Sequence, residues 1–235
     1  MEVQFAVAKI SKYATSESGD TLEMIERPHG GLSMVLVDGQ RSGKSAKAIS
    51  NVVARKAVQL LSEGVRDGAA ARAANDYLFT YRGGKVSATL NILSVDTRTR
   101  TLVISRNNES PVLIHTLADG FYQLDDPSQA VGVHPNTKPL ITEIPIALGT
   151  IVVAYTDGVS HAGSMSGKVK YDAFGVFQEM VSGGEMSAQG ITDRLLDDAV
   201  ALDSGRPRDD ISVVALSVHA KNGDEVRRLN GRLTM

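Results

Sequence analysis

The sequence predicts an α+β fold in which helices are layered on antiparallel sheets within one domain. Three observations carry this expectation. Strand-like and helix-like stretches are segregated along the chain instead of alternating. No helical pattern interrupts residues 87–156, so the strands there must pair antiparallel, because parallel pairing needs long crossovers. The length of 235 residues, at roughly 150 residues per domain, suits a single large domain, expected over 1–218 and followed by a polar tail over 219–235.

The elements follow in order. Residues 3–10 form an apolar run of strand length. Strands over 21–27 and 32–37 flank Pro28-His29-Gly30-Gly31, a hairpin turn by composition. From 42 to 61 the period becomes helical, with Ile49, Val52, Val53, Ala57, Leu60 and Leu61 on one stripe. A second helix is expected over 65–80, burying Ala69, Ala73, Tyr77 and Leu78. Short strands then follow at 88–95, 101–105, 112–116, 121–124, 140–146 and 150–155, with Asp96–Arg100 and Asp119-Gly120 as turns. Helical spacing returns at 173–181 and 187–202, and a last strand covers 211–218.

Composition narrows the function classes. A formal net charge of −2 lacks the electrostatic footprint of a dedicated nucleic-acid binder, and with no Trp, 6 Tyr and 5 Phe stacking platforms are scarce. The absence of cysteine excludes disulfides, thiolate zinc sites and iron–sulfur ligation. The five histidines, at 29, 115, 134, 161 and 219, show no paired metal spacing. No stretch reaches the ~18 apolar residues of a membrane helix, and no signal peptide is visible. The expectation is a soluble, cytoplasmic protein that partners neither membrane nor nucleic acid.

The informative residues are carboxylates at strand ends. Asp20 precedes the first hairpin strand and Asp38 follows the second, and a turn centred on 28–31 brings the two side by side. Asp157-Gly158 ends the strand 151–155 and Asp209-Asp210 opens the strand 211–216, so antiparallel pairing of those strands would make Asp157 and Asp209 meet as well. Adjacent carboxylates raise each other's pKa unless a cation lies between them. Such a cluster suits Mg2+ or Mn2+, hard cations that take oxygen ligands and retain waters. Two such ions ~3.5–4 Å apart bind a phosphate and deprotonate a bridging water. Of the Asp209-Asp210 pair, Asp209 is the expected ligand, because neighbouring residues on a strand point to opposite faces. Turn-making alone also places Asp and Gly at strand ends.

A competing motif is Asp38-Gly-Gln-Arg-Ser-Gly-Lys-Ser45, which follows a strand and opens a helix much as a phosphate-cradling P-loop does. The G-x-x-x-x-G-K-[ST] pattern needs glycine where Asp38 stands, and an acidic residue there repels nucleotide phosphate unless metal intervenes. Nucleotide binding through 38–45 is the weaker alternative. Arg41, three residues after Asp38, is a candidate for gripping the substrate phosphate with its guanidinium fork, and Lys44 is second to it.

These residues, taken together, resemble the metal-dependent serine/threonine phosphatases of the type-2C class, and more closely the bacterial branch typified by the sporulation stage II protein E phosphatase and the small stressosome phosphatases. The marks are Ser18-Gly-Asp20, Asp38-Gly39, Ser87-Ala-Thr89, Ala130-Val-Gly132, Thr156-Asp-Gly-Val159 and Arg208-Asp-Asp-Ile-Ser212, spread from Ser18 to about Val218. The resemblance implies a four-layer sandwich, two antiparallel sheets flanked by helix pairs. It implies that Asp38 bridges two divalent ions, Mn2+ or Mg2+, and that Gly39 contributes a backbone carbonyl. Asp20 would serve the outer ion directly or through its water shell, and Asp157 and Asp209 would hold the second ion. Asp38 and Asp20 are then the catalytic pair, and phosphoserine or phosphothreonine is hydrolysed by attack of a metal-bridging hydroxide. The implied partner is a phosphorylated protein, such as an anti-sigma-factor antagonist or a stressosome protein in a partner-switching pathway.

The sequence departs from that branch in two segments. Its D-x-x-G-H-G reads Asp38-Gly-Gln-Arg-Ser-Gly43, with Arg41 for the glycine and Ser42 for the histidine, and its G-H-x-P appears as Asn107-Asn-Glu-Ser-Pro111. The alternative of another class is a binding or scaffold protein on the same fold without turnover. The intact set Asp20, Asp38, Asp157 and Asp209 argues against it.

Overall fold

The computed structural model describes residues 1–164, 171–229 and 231–232. The chain runs β1 (Glu2–Ile10), β2 (Asp20–Glu26), a 3-10 turn (Pro28–Gly30), β3 (Leu32–Gly39), α1 (Gly43–Ser62), α2 (Asp67–Arg82), β4 (Ala88–Asp96), β5 (Thr101–Asn107), β6 (Val112–Thr116), β7 (Gly120–Leu124), β8 (Leu140–Pro145), β9 (Ile151–Tyr155), α3 (Asp157–Ser160), α4 (Ala173–Ser182), α5 (Ala188–Leu202) and β10 (Ile211–His219). Two five-stranded sheets result, one ordered β1-β10-β9-β6-β7 and the other β2-β3-β4-β5-β8. All the strand pairings are antiparallel.

Three apolar cores define four layers. The first lies between α1–α2 and the outer face of the β2–β8 sheet and is built from Val35, Val37, Ile49, Val53, Ala57, Ala74 and Leu78. The second lies between the sheets, with Met34, Leu36, Leu93, Ile104, Val152, Ala154, Val214 and Leu216. The third joins the other sheet to α4–α5 through Val153, Val213, Phe177, Ile191 and Leu195. Successive strand residues therefore feed different cores, Val213 outward and Val214 inward, as the two-residue period of a strand requires. The expected α+β sandwich flanked by helix pairs is thus the observed one.

The helices end where their chemistry says they should. Asp172 accepts a hydrogen bond from the Gly175 amide (2.9 Å) to cap α4, and Ser187 does the same for α5 from Gly190 (3.0 Å). α2 stops at Gly83 in the left-handed conformation, φ +61°. Its buried stripe is Ala70, Ala71, Ala74 and Leu78, one step round from the expected Ala69, Ala73 and Tyr77. Small alanines let α2 sit close to α1 and the sheet, whereas Tyr77 stays at the surface and stacks on Tyr81 with ring centroids 6.1 Å apart. The start of α2 is fixed by a buried pair, Arg27 to Asp67 at 2.6 Å, with Ser94 also donating to Asp67.

Beyond β10, the described residues of the tail form no helix or strand, although Arg227 donates to the Gly30 carbonyl at 3.0 Å. The end of the expected tail, 230 and 233–235, lies outside the described residues, as do 165–170 within the expected domain. Among the described residues no helix is long and apolar enough to cross a membrane.

Candidate functional site

The inter-sheet core runs into a polar end. Along the inner face of β3, Met34 and Leu36 lead to Asp38. Along β9, Val152 and Ala154 lead to Thr156, and along β10, Leu216 and Val214 lead to Ser212. Each polar residue takes the next inward position of its strand. At this end the two sheets exchange hydrogen bonds in place of apolar contacts.

Asp20 and Asp38 are direct cross-strand partners in the β2–β3 hairpin, so the juxtaposition read from the turn is the one observed. Asp20 is fully buried. Its Oδ2 accepts from Ser212 Oγ (2.6 Å) and from Thr156 Oγ1 (3.1 Å), both on the opposite sheet. Thr156 Oγ1 in turn accepts from the Ser212 amide at 3.0 Å. Among the described residues no hydroxyl, amide or ammonium donates to the buried Asp20 Oδ1, and the carboxyl of Asp38, when protonated, bonds to the Asp20 side chain. Behind the carboxylate, the ammonium groups of Lys9 and Lys47 both donate to the Asp20 main-chain carbonyl, at 2.6 and 2.7 Å.

The second pair comes from the other sheet. β9 and β10 are antiparallel neighbours with Tyr155 opposite Val213, which brings Asp157 and Asp209 to one end. Asp157 opens α3, a single turn of helix too short for any sequence period to reveal. Asp38, Gly39, Arg41, Asp157 and Asp209 all line one groove of about 480 Å3, together with Lys12. Asp20 stands behind this groove in the sheet interface. Asp210 turns away: its two oxygens accept from the Lys12 amide (3.0 Å) and the Gly19 amide (2.9 Å), and it is buried. The two adjacent aspartates thus have different surroundings, one lining the groove and the other tying the β1–β2 loop to β10.

The glycine of each Asp-Gly pair has a packing reason. A Cβ on Gly39 would run into the main-chain carbonyl of Ala46 in α1, and a Cβ on Gly158 would run into that of Asp210. Both aspartates therefore stand where another backbone crosses within contact distance. By contrast Asp96 serves only its turn, accepting from the Arg98 and Thr99 amides. The segment 38–45 does lead from a strand into a helix, but within an antiparallel sheet, which is not the parallel setting of a P-loop.

The electrostatics are those of crowded carboxylates. Burial, and then the charges of Asp20, Asp157 and Asp209, push Asp38 up to about 9. Burial pushes Asp20 up to about 6 against the pull of the Ser212 hydrogen bond. Asp209 is also raised, by burial and by Asp157. Carboxylates so placed ionise together only with positive charge between them.

The donor set fits hard divalent cations. All of its groups are oxygens, one of them the buried Oδ1 of Asp20. Among the described residues no three acidic or histidine side chains form a ready cage for one ion. Small hard cations do not need one, since they keep several waters and are held by one or two carboxylates.

Sequence reasoning assigned no role to Thr156, Ser212 or Lys12. For Ser212 a signal existed: it is a polar residue at an inward position of an otherwise apolar strand, and buried polar groups are there to be bonded. Arg41, which stands where the branch that the sequence resembles has glycine, adopts φ +78°, in the left-handed region that favours glycine.

The family model of stage II sporulation protein E (SpoIIE) matches residues 28–219. No curated protein sequence matches the chain. Among solved structures, the phosphatase domain of SpoIIE from Bacillus subtilis with a fragment of its regulatory domain superposes with a TM-score of 0.78 at 19% identity, covering 93% of this chain and 64% of that one. The RsbU and RsbW domains of a Mycobacterium tuberculosis protein give 0.74 at 18% identity, covering 94% and 61%. This chain thus spans under two thirds of each of those two. The catalytic domain of the serine/threonine phosphatase PstP, crystallised with two manganese ions, gives 0.68 at 16% identity, covering 93% and 99%.

Proposed function

The chain belongs to the stage II sporulation protein E family, and from that membership we propose that it is a divalent-metal-dependent phosphatase acting on phosphoserine or phosphothreonine in a protein. The observation that carries the reading is the meeting of Asp38 from one sheet with Asp157 and Asp209 from the other at a single groove. Asp38, placed between Asp20 and the other pair, would be the residue shared by two ions. The Gly39 carbonyl beside it, Asp157 and Asp209 would complete the oxygen set, with Oδ1 of Asp20 in reserve behind them. When bound, such ions supply an activated water at neutral pH and neutralise charge on phosphoryl oxygens.

The protein's own groups do the rest. Ser212 and Thr156 saturate one oxygen of Asp20 and so leave the other for the site. Asp210 fixes the loop that carries Lys12. Arg41, at the groove wall, orients the phosphate with a fork that stays charged at any working pH. No cysteine is available for a phospho-thiol intermediate, which favours direct hydrolysis. PstP with its two manganese ions supports Mn2+, and Mg2+ satisfies the same oxygen set. The RsbU–RsbW neighbour supports a cytoplasmic signalling phosphoprotein as substrate, in the manner of an anti-sigma-factor antagonist or stressosome component, with 1–218 as the catalytic domain.

The test is turnover of p-nitrophenyl phosphate and of a phosphoserine peptide by protein stripped with EDTA, before and after Mn2+ is restored. Activity appears only with the ion, and Asp38→Asn loses more of it than a change at Asp20, Asp157 or Asp209. Full activity in EDTA, or a trapped phospho-enzyme, would overturn the reading.

A further inference from the structure

The groove is larger than its chemistry needs. A volume of about 480 Å3 lies within the ~300–1,000 Å3 range of sites that enclose ligands of drug size, so side chains next to the phosphorylated residue enter it as well. Its walls say which ones. Among the described residues no lining side chain is apolar and larger than alanine, so a leucine or aromatic neighbour would be desolvated against polar groups and gain little packing. Among the described residues, the charged groups facing the groove besides the three carboxylates are Lys12 and Arg41; neither is in an ion pair, although the Lys12 charge acts on Asp209.

Lys12 is held in place from several directions. Its amide donates to Asp210 (3.0 Å), its carbonyl accepts from the Thr15 amide (3.2 Å) and hydroxyl (2.7 Å), and the next residue, Tyr13, donates to the Pro207 carbonyl at 2.7 Å. Tyr13 also lies under the Arg206 guanidinium, 5.2 Å from ring centroid to cation. The main chain at Lys12 is therefore pinned at the groove wall, with an ammonium that makes no hydrogen bond to a described residue and whose charge acts on Asp209. The Arg41 loop reaches the same edge: its carbonyl lies 3.8 Å from where a Cβ on Gly19 would stand, and Gly19 shares Asp210 with Lys12. Lys12 and Arg41 thus come from neighbouring loops that line the same groove.

We infer that this groove selects phosphorylated segments with an acidic residue beside the phosphoserine or phosphothreonine, and that Lys12 is the residue that reads it. The inference rests on the phosphatase reading above. With Arg41 on the phosphate, Lys12 is the cation left among the described residues for a neighbouring Glu or Asp, and Asp157 and Asp209, once neutralised by bound divalent ions, would not repel such a substrate.

The test is steady-state kinetics of the Mn2+-loaded full chain on p-nitrophenyl phosphate, on a phosphoserine peptide flanked by Glu on both sides, and on the same peptide with Leu in both places. The wild type prefers the acidic peptide by about fivefold in kcat/KM, the scale of an exposed ion pair, and the preference shrinks in high salt. Lys12→Met removes most of that ratio and Lys12→Glu inverts it. Because the readout is a ratio, a general loss of activity does not mimic it, and the wild-type ratio with its salt dependence needs no variant. Equal use of the two peptides by a wild type that turns over p-nitrophenyl phosphate overturns this inference alone. So does a ratio unmoved by Lys12→Glu, or a Lys12→Met defect that is the same on all three substrates and so assigns Lys12 to the phosphate. A wild type inactive on all three removes the phosphatase reading and this inference with it.

Discussion

Replacing Ser212 by alanine deletes one hydroxyl that touches neither groove nor substrate, yet it should weaken metal binding. Ser212 Oγ donates to Asp20 Oδ2 at 2.6 Å in a fully buried setting, and hydrogen bonds to a charged group of this kind contribute about 1.5–3 kcal/mol. Asp20 is already held up to about 6 by burial, with the Ser212 bond as the first influence opposing it. Losing that bond raises the pKa by about 1–2 units. At pH 7 the wild-type carboxylate is mostly ionised, whereas the variant's is half ionised or less. Apparent Mn2+ affinity at pH 7 should therefore fall about two- to tenfold, and the deficit should close by pH 9, where Asp20 is ionised in both. Isothermal titration calorimetry across pH 6–9 measures this, with Ser212→Thr restoring the hydroxyl and the affinity. A simple packing defect lowers thermal stability at every pH and leaves no pH-dependent deficit. Wild-type affinity at pH 7 in Ser212→Ala, or a deficit that persists unchanged to pH 9, would refute the role given to this hydroxyl.

Three further outcomes are expected. In EDTA the fold should lose stability as pH rises, because Asp20 (about 6) and Asp38 (about 9) hold protons in the folded state that the unfolded chain releases near 3.8; their stabilisation is present below about pH 4 and is lost as pH rises through the folded values. Asp20 alone accounts for on the order of 3 kcal/mol between about pH 4 and 6, of which about 1 kcal/mol is lost above pH 5, and Asp38 adds to the loss up to about pH 9. The metal-free melting temperature should therefore be higher at pH 5 than at pH 8, and added Mn2+ should flatten the difference; a metal-free melting temperature that climbs over that window contradicts the crowding of these carboxylates. Asp209→Ala should cost metal affinity with little change in melting. Asp210→Ala, which strands the Lys12 and Gly19 amides, should instead cost about 2–4 kcal/mol of stability; equal losses of metal affinity would count against the distinction. Arg41→Gly relieves a backbone at φ +78° and should raise stability by up to about 1 kcal/mol while raising KM for a phosphopeptide; an unchanged KM would leave Arg41 without a phosphate contact.

What the sequence made legible was local. The Asp20–Asp38 pairing follows from the length of one hairpin, and hairpin register is set by the turn between its strands. Asp157 and Asp209 could be brought together because each stands at the end of an apolar run, so strand adjacency alone makes the ends meet. Less legible were contacts between loops far apart in the chain. The amide of Lys12 bonds to Asp210 across a separation of 198 residues, and no local pattern announces that the β1–β2 loop closes on the start of β10. The one-turn helix α3 is too short to show a period, and the surface position of Tyr77 is not legible because an alanine-rich helix offers two nearly equivalent stripes.

Ser212 and Thr156 fall between these cases. Extending the two-residue alternation of β3, β9 and β10 inward past Leu36, Ala154 and Val214 lands on Asp38, Thr156 and Ser212 in turn, so the polar end of the inter-sheet core is written in the strands themselves. This has a structural consequence. Where two sheets pack through apolar side chains, their offset is set by shape alone, because the hydrophobic effect is not directional. Two hydroxyls on one sheet bonded to a single carboxylate oxygen on the other are directional, and they fix the offset between the sheets at the place where Asp38 must face Asp157 and Asp209. The groove's geometry is therefore held by a polar clamp one residue behind it, and a substitution in that clamp should reach metal binding before it reaches the fold.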